Sequence, residues 1–260
     1  MKIMTYDKLT VKIYPSRNEM GMAAAHEIKQ RICMLLREKS EINIIFAAAP
    51  SQNEVLNALA SDTDIEWSRI NAYHMDEYIG LNQDAPQGFG NFLKRLIFDR
   101  VPFRSVNYIN MATPNPEMEC DRYSALLDKN SPDICVIGIG ENGHIAFNDP
   151  PVADFHDKKK VKPVKLDEVC RKQQVNDGCF KHIEEVPTHA LTLTIPTLIS
   201  APYVFCIVPA HTKAAAVRET LTGSIDEHCP ASILRTKENA ILYLDPDSAN
   251  WWNGKRYDKN

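Results

Sequence analysis

The segment Gly138-Ile139-Gly140-Glu141-Asn142-Gly143-His144 sets a histidine on a glycine-rich turn, and Asp149 follows five residues later. A carboxylate near an imidazole orients the ring and raises its basicity, so this spacing suits an acid–base pair. The plainer reading is a structural histidine and a turn aspartate ahead of Pro150. A second acidic site stands in Met75-Asp76-Glu77-Tyr78, at the end of an apolar and aromatic run. Adjacent side chains diverge, so at most one of these two carboxylates faces a cleft, and a turn or N-cap explains the pair equally well. A carboxylate base and an acid–base histidine in one cleft suit proton abstraction beside a carbonyl.

Two further segments could serve a ligand: Pro50-Ser51-Gln52-Asn53 and Pro209-Ala210-His211-Thr212-Lys213. Lys213 falls at an expected helix start, where the helix dipole opposes a cation unless it faces an anion. Ser51 and Gln52 are ordinary helix-start residues that become phosphate-binding candidates only together with Lys213. Gly138, Gly140 and Gly143 match the dinucleotide fingerprint letter for letter, but that motif needs a long helix after its last glycine. Here five residues intervene before Asp149-Pro150-Pro151 stops any helix. The nucleotide reading therefore fails. What is left is a turn on which the backbone at Gly140 and Gly143 can approach a substrate oxygen closely.

Such residues need a scaffold that gathers distant segments. Ser16 and Glu19 stand at capping-box spacing, and Ala23, Ala24, Ile28, Ile32, Leu35 and Leu36 then recur at helical period. The apolar run over 42–49 predicts a buried strand, followed by a helix carrying Val55, Leu56, Leu59 and Ala60. The same reasoning predicts strands over 69–75, 106–109, 133–139, 189–195, 203–208 and 240–244, and helices over 90–101, 116–127 and 212–221. Residues 150–187 read as irregular and polar. Strands that are apolar throughout, alternating with helices, indicate an α/β fold: a doubly wound, mostly parallel sheet with helices on both faces. No linker rich in Gly, Pro or Ser interrupts the chain, which predicts a single domain over 1–260. In such sheets ligands bind beyond the carboxyl ends of strands, and all four segments follow strands.

The net charge of −4 gives no sign of a nucleic-acid binder. The run Lys158-Lys159-Lys160, with Lys162 and Lys165, contains no aromatic residue or arginine and reads as a solvated loop. No stretch approaches the roughly 20 apolar residues of a membrane helix, and Met1 to Tyr14 lack the apolar core of a secretory signal. Seven dispersed cysteines without a CxxC pair read as reduced thiols, which points to the cytoplasm and argues against structural zinc.

Taken together, these residues resemble the glucosamine-6-phosphate deaminase/isomerase family, whose Rossmann-like fold is shared by 6-phosphogluconolactonases. The resemblance rests on Met75-Asp76-Glu77-Tyr78-Ile79-Gly80, on 138–150 with its His144-Ile145-Ala146-Phe147-Asn148 run, and on Val186-Pro187-Thr188-His189-Ala190-Leu191-Thr192. It covers about residues 20 to 245, and the second segment favours the deaminase branch. It implies that Asp76 moves a proton between C2 and C1 of an opened amino sugar and that His144 opens the ring. Asn142 and Asp149 would orient His144, while Ser51 and Lys213 would hold the phosphate of a small sugar phosphate. The products would be a ketose phosphate and ammonia, without metal or organic cofactor. Members differ in oligomeric state, so a homo-oligomer stays open.

The chain departs from that pattern at Ala47-Ala48-Ala49-Pro50-Ser51, where the family has a Gly-Gly-Thr-like turn. Asn142 stands where some members have Asp, and Asp149 where Glu is common. Before Phe180 the expected arginine is missing, with Arg171 or Lys172 as candidate substitutes. The catalytic half is kept and the phosphate half altered, so three readings of function stand beside glucosamine-6-phosphate deamination. They are action on another amino-sugar phosphate such as galactosamine 6-phosphate, lactone hydrolysis, and sugar-phosphate sensing without turnover.

Overall fold

The computed structural model describes residues 1–251, and the end of the expected single domain, 252–260, lies outside the described residues. The chain opens with a hairpin of β1 (Lys2–Tyr6) and β2 (Leu9–Ile13), then runs through α1 (Arg17–Glu38), β3 (Ile42–Phe46), α2 (Asn53–Ala60) and β4 (Ile70–His74). After β5 (Asp76–Tyr78) come α3 (Phe89–Leu93), β6 (Ser105–Asn107), α4 (Pro116–Lys129) and β7 (Ile134–Ile137). The last third holds β8 (Val161–Lys165), α5 (Glu168–Asn176), β9 (His189–Leu193), α6 (Ile195–Ile199), β10 (Tyr203–Val208), α7 (Ala214–Thr222) and β11 (Ala240–Leu244).

Eight strands form one sheet in the order β1-β2-β11-β10-β7-β3-β4-β6. Every pairing in it is parallel except the β1–β2 hairpin. Successive residues of a strand alternate between faces, and here both faces are apolar. Ile45, Cys135 and Cys206 pack on one side with α4, α6 and α7. Phe46, Val136 and Phe205 pack on the other with α1 and α2. This is the doubly wound α/β architecture, and it explains why the strands read as unbroken apolar runs. After β3 the chain builds outward through β4 and β6. It then returns to the far side of β3 as β7 and builds through β10 and β11. The strand order reverses between β3 and β7, and a crevice opens beyond their carboxyl ends.

Several boundaries differ from the sequence reading. The hairpin over 2–13 was not expected. Residues 150–187 are not irregular throughout, since β8 and α5 lie within them. β8 joins β5 and β9 in a separate antiparallel sheet of order β5-β9-β8. The expected strand over 189–195 stops at Leu193, and Ile195-Pro196 begins α6. The expected helix over 90–101 is a short α3 continued by a π turn over Lys94–Phe98.

Candidate active site

Met75 separates β4 from β5, so Asp76 opens a strand of the small sheet instead of closing the preceding one. Asp76 lines the crevice. Glu77, one residue on, is fully buried, and its carboxylate accepts the N–H groups of Tyr78 (2.9 Å), Phe89 (3.0 Å) and Gly90 (2.8 Å). The two carboxylates therefore divide their work: one faces the cleft and the other ties α3 to β5. Burial pushes the Asp76 carboxyl well above the usual carboxylate range, and the neighbouring Glu77 charge adds to it. Burial also raises Glu77, to about 7, against the three amides that favour its charge.

The turn after β7 carries the histidine. His144 Nδ1 lies 2.7 Å from Asn142 Oδ1 and 2.9 Å from Asp149 Oδ1. Both oxygens are acceptors toward it, so Nδ1 carries the proton and Nε2 is the nitrogen left for acid–base work. Asn142 Nδ2 donates to Asp149 Oδ1 at 3.0 Å, and the Asp167 N–H donates to Asp149 Oδ2 at 3.3 Å. Burial alone would raise Asp149, but the bonds from His144, Asn142 and Asp167 outweigh it and hold the carboxyl below its usual range. Two glycines make the turn feasible. A Cβ at Gly140 would collide with the His144 ring. Gly143 sits at φ +83°, where a Cβ would also come within 2.8 Å of Cys229 Sγ.

Ser51, Gln52 and Lys213 line the same crevice. Ala49 is extended (φ −153°), so the alanines replacing the glycine turn take a path that needs no left-handed backbone. Gln52 is fully buried and donates its amide to Ser51 Oγ (3.0 Å) and the Ile207 carbonyl (3.1 Å). The Ser51 hydroxyl accepts that bond and keeps its own proton for a ligand. β10 reaches Lys213 through Ala210, which holds φ +85° while its N–H donates to the Asp245 carboxylate at 3.2 Å. Such a conformation in a non-glycine residue costs on the order of 1–3 kcal/mol and persists only where its surroundings enforce it. Lys213 is 5% exposed. Burial lowers its pKa, while the charges of Asp177 and Glu141 work against that. Its ammonium has no hydrogen bond or ion pair to any described residue.

The same crevice brings together residues that the sequence reading did not single out: Arg17, Gln173, Gln174 and Asp177, with Phe89 and Phe147 as an aromatic wall. Arg17 had a signal, since a cation at a helix start is as unexpected there as at Lys213. The α5 residues had none, because their segment was read as irregular. Neither candidate substitute for the missing arginine lines the crevice. Arg171 binds the carbonyls of Ile183 and Val186, and Lys172 pairs with Glu168.

His144, Asp149 and Cys170 place a nitrogen, an oxygen and a sulfur within 4.8 Å of one another. Burial pushes the Cys170 thiol well up, and His144 and Asp149 are already bonded to each other. Among the described residues no helix is long and apolar enough to cross a membrane.

The family model of glucosamine-6-phosphate isomerases and 6-phosphogluconolactonases matches residues 15–243. A glucosamine-6-phosphate deaminase of Listeria innocua is 32% identical over 210 residues, covering 81% of this chain and 88% of the relative. One from Exiguobacterium sibiricum is 32% identical over 239 residues, covering 92% and 91%. Among solved structures, a monomeric glucosamine-6-phosphate deaminase superposes with a TM-score of 0.83 at 28% identity, over 92% of this chain and 98% of that one. The 6-phosphogluconolactonase of Thermotoga maritima superposes with a TM-score of 0.74 at 20% identity, over 92% and 99%, a likeness of fold.

Proposed function

We propose, since this chain belongs to the glucosamine-6-phosphate isomerase/6-phosphogluconolactonase family, that it converts an amino-sugar phosphate, glucosamine 6-phosphate first among them, to the ketose phosphate and ammonia. It is an enzyme of the glucosamine-6-phosphate deaminase/isomerase type. The observation that carries the finer reading is one crevice holding a buried carboxyl, Asp76, a His144–Asp149 pair and an unpaired buried ammonium, Lys213.

His144 Nε2 takes the O1 hydroxyl proton and delivers it to the ring oxygen, which opens the sugar to its aldehyde. Asp149 and Asn142 hold the ring tautomer and stabilise the charged imidazole between transfers. Asp76 takes the proton from C2 to give an enolamine, and C1 receives it back. The resulting imine adds water, and ammonia departs. In balance, glucosamine 6-phosphate and water give fructose 6-phosphate and ammonia. A carboxyl whose pKa is raised is a stronger base once ionised, and the ammonium on C2 favours its ionised form beside it. This supports an amino sugar over a lactone, whose hydrolysis requires no base at C2. Ser51 and Lys213 receive the phosphate.

Ammonia release is the deciding measurement, on glucosamine 6-phosphate, galactosamine 6-phosphate and unphosphorylated glucosamine, with 6-phosphogluconolactone hydrolysis alongside. Release from a phosphorylated amino sugar is expected. Lactone hydrolysis without ammonia from any amino sugar would overturn the reading, and turnover of none of them would leave a sensor.

A further inference from the structure

We propose that Arg17, at the start of α1, and Gln174, on α5, are binding residues of this crevice and complete an oxyanion clamp with Lys213. The clamp rests on the sugar-phosphate reading and assigns the groups that select the phosphate.

Three observations converge on it. Lys213 and Gln174 are 5% and 6% exposed, both line the crevice, and neither side chain has a hydrogen-bond or ion-pair partner among the described residues. Their stems are buried while their polar ends stay open to the crevice, so both present unused donors to whatever enters it. An ammonium and a carboxamide together supply donors only an anion or a hydroxyl-rich group can use. The third observation is Arg17. Its Nη2 donates to the Pro50 carbonyl at 2.6 Å and its Nε to Glu54 Oε1 at 2.8 Å. Those bonds fix the guanidinium beside Ser51 at the edge of the crevice.

The charge balance explains why a second cation is required. Asp177 lines the same crevice, held by Gln173 Nε2 at 3.2 Å, and its charge is felt at Lys213. Lys213 therefore does not meet the ligand alone, since a carboxylate shares the crevice with it. Glu54 pairs with Arg17 in turn, and of the two only Arg17 lines the crevice. The planar fork suits a tetrahedral oxyanion. Gln174 adds a neutral donor where a third cation would overbind.

Inorganic phosphate is the probe, titrated calorimetrically into the intact wild-type chain and into Arg17→Ala, Arg17→Lys, Gln174→Ala and Lys213→Ala. In parallel, kcat and KM are measured on glucosamine 6-phosphate. Arg17→Ala and Gln174→Ala are each expected to weaken phosphate binding and raise KM about 10-fold, with kcat within about twofold, the signature of uniform binding lost. Arg17→Lys keeps the charge without the fork and should fall between. If Arg17→Ala fails to fold because α1 loses its anchor on Pro50, Arg17→Lys and Gln174→Ala still decide. Wild-type phosphate affinity in both, with Lys213→Ala alone impaired, would overturn the clamp and leave the sugar-phosphate reading standing. A loss of kcat at constant KM would also overturn it. No phosphate binding by the wild type, with free glucosamine turned over as well as its phosphate, would remove the reading on which the clamp rests.

Discussion

Asp76 carries a conflict between stability and function in a single side chain. Its burial opposes ionisation, yet a base must be ionised to act. Asp76→Asn keeps the shape and removes the conflict. Turnover should fall by about 10²- to 10⁴-fold, the range for general base catalysis, while the melting temperature holds or rises. A folded Asn variant that still releases ammonia at a near-normal rate would end the assignment. At His144 the neighbouring carboxylate acts through geometry. Asp149 Oδ1 accepts from Nδ1 and holds the ring, so Asp149→Asn should lower kcat/KM, by less than His144→Gln does. If Asp149→Asn keeps the wild-type kcat/KM, Asp149 is only the turn residue that its place before Pro150 allows.

Among the elements, α3 and β5 are joined by one buried carboxylate. Glu77 receives three backbone N–H groups, and through them it holds Phe89, whose ring stacks on Phe147 at 5.4 Å in the wall of the crevice. Glu77→Gln turns an amide NH₂ toward at least one of those donors, which should destabilise the fold by about 1–3 kcal/mol. Hydrogen exchange at the Phe89 and Gly90 amides should rise more than elsewhere. Unchanged protection there would mean the clamp is not what holds α3. The elements that carry Asp76 and His144 are legible in the sequence and this small sheet is not, for a physical reason. Strands of the main sheet are buried on both faces and read as apolar runs, so Asp76 and His144 stood out at their ends. β8, with the sequence Val-Lys-Pro-Val-Lys, lies at an edge of the small sheet, where Pro163 is tolerated but reads as a strand breaker. Without a legible β8, the polar stretch that holds α5 reads as irregular, and Gln174 carries no signal in it. Arg17 lies far from the other site residues in the sequence, and only the packing of α1 on α2 brings it to Ser51.

For the molecule as a whole, the buried ionisable groups under the crevice set opposite responses to acid. His74 ends β4 fully buried. Its Nε2 accepts the Ile109 N–H at 2.9 Å, so Nδ1 carries the proton and donates to the Asp76 carbonyl at 2.9 Å. Burial lowers its pKa from the ordinary 6.5 to about 4, against the pull of that bond and of Glu119. Between those values the unfolded chain binds a proton that the folded one refuses, so stability is lost as pH falls from 6.5 to 4. Glu77 does the reverse. Its pKa is raised from 4.5 to about 7, so the folded state binds the extra proton and stability grows as pH falls from 7 to 4.5. Asp76 acts in the same direction as Glu77. Shifts of this size correspond to about 3 kcal/mol each for His74 and Glu77. The depressed carboxyls have ordinary values of 3.8, as at Asp149, or 4.5, as at Glu119, and enter at the acid end of this window or below it. Two raised carboxyls oppose one lowered histidine, so the wild-type melting temperature should rise as pH falls from 6.5 to 4.5. Single substitutions should change that slope in opposite directions. Glu77→Gln should flatten the rise, and His74→Gln, which keeps one donor and one acceptor, should steepen it. Thermal denaturation of the three proteins at fixed ionic strength reads the slopes directly. If both variants kept the wild-type slope, neither buried group would be titrating differently in the folded chain.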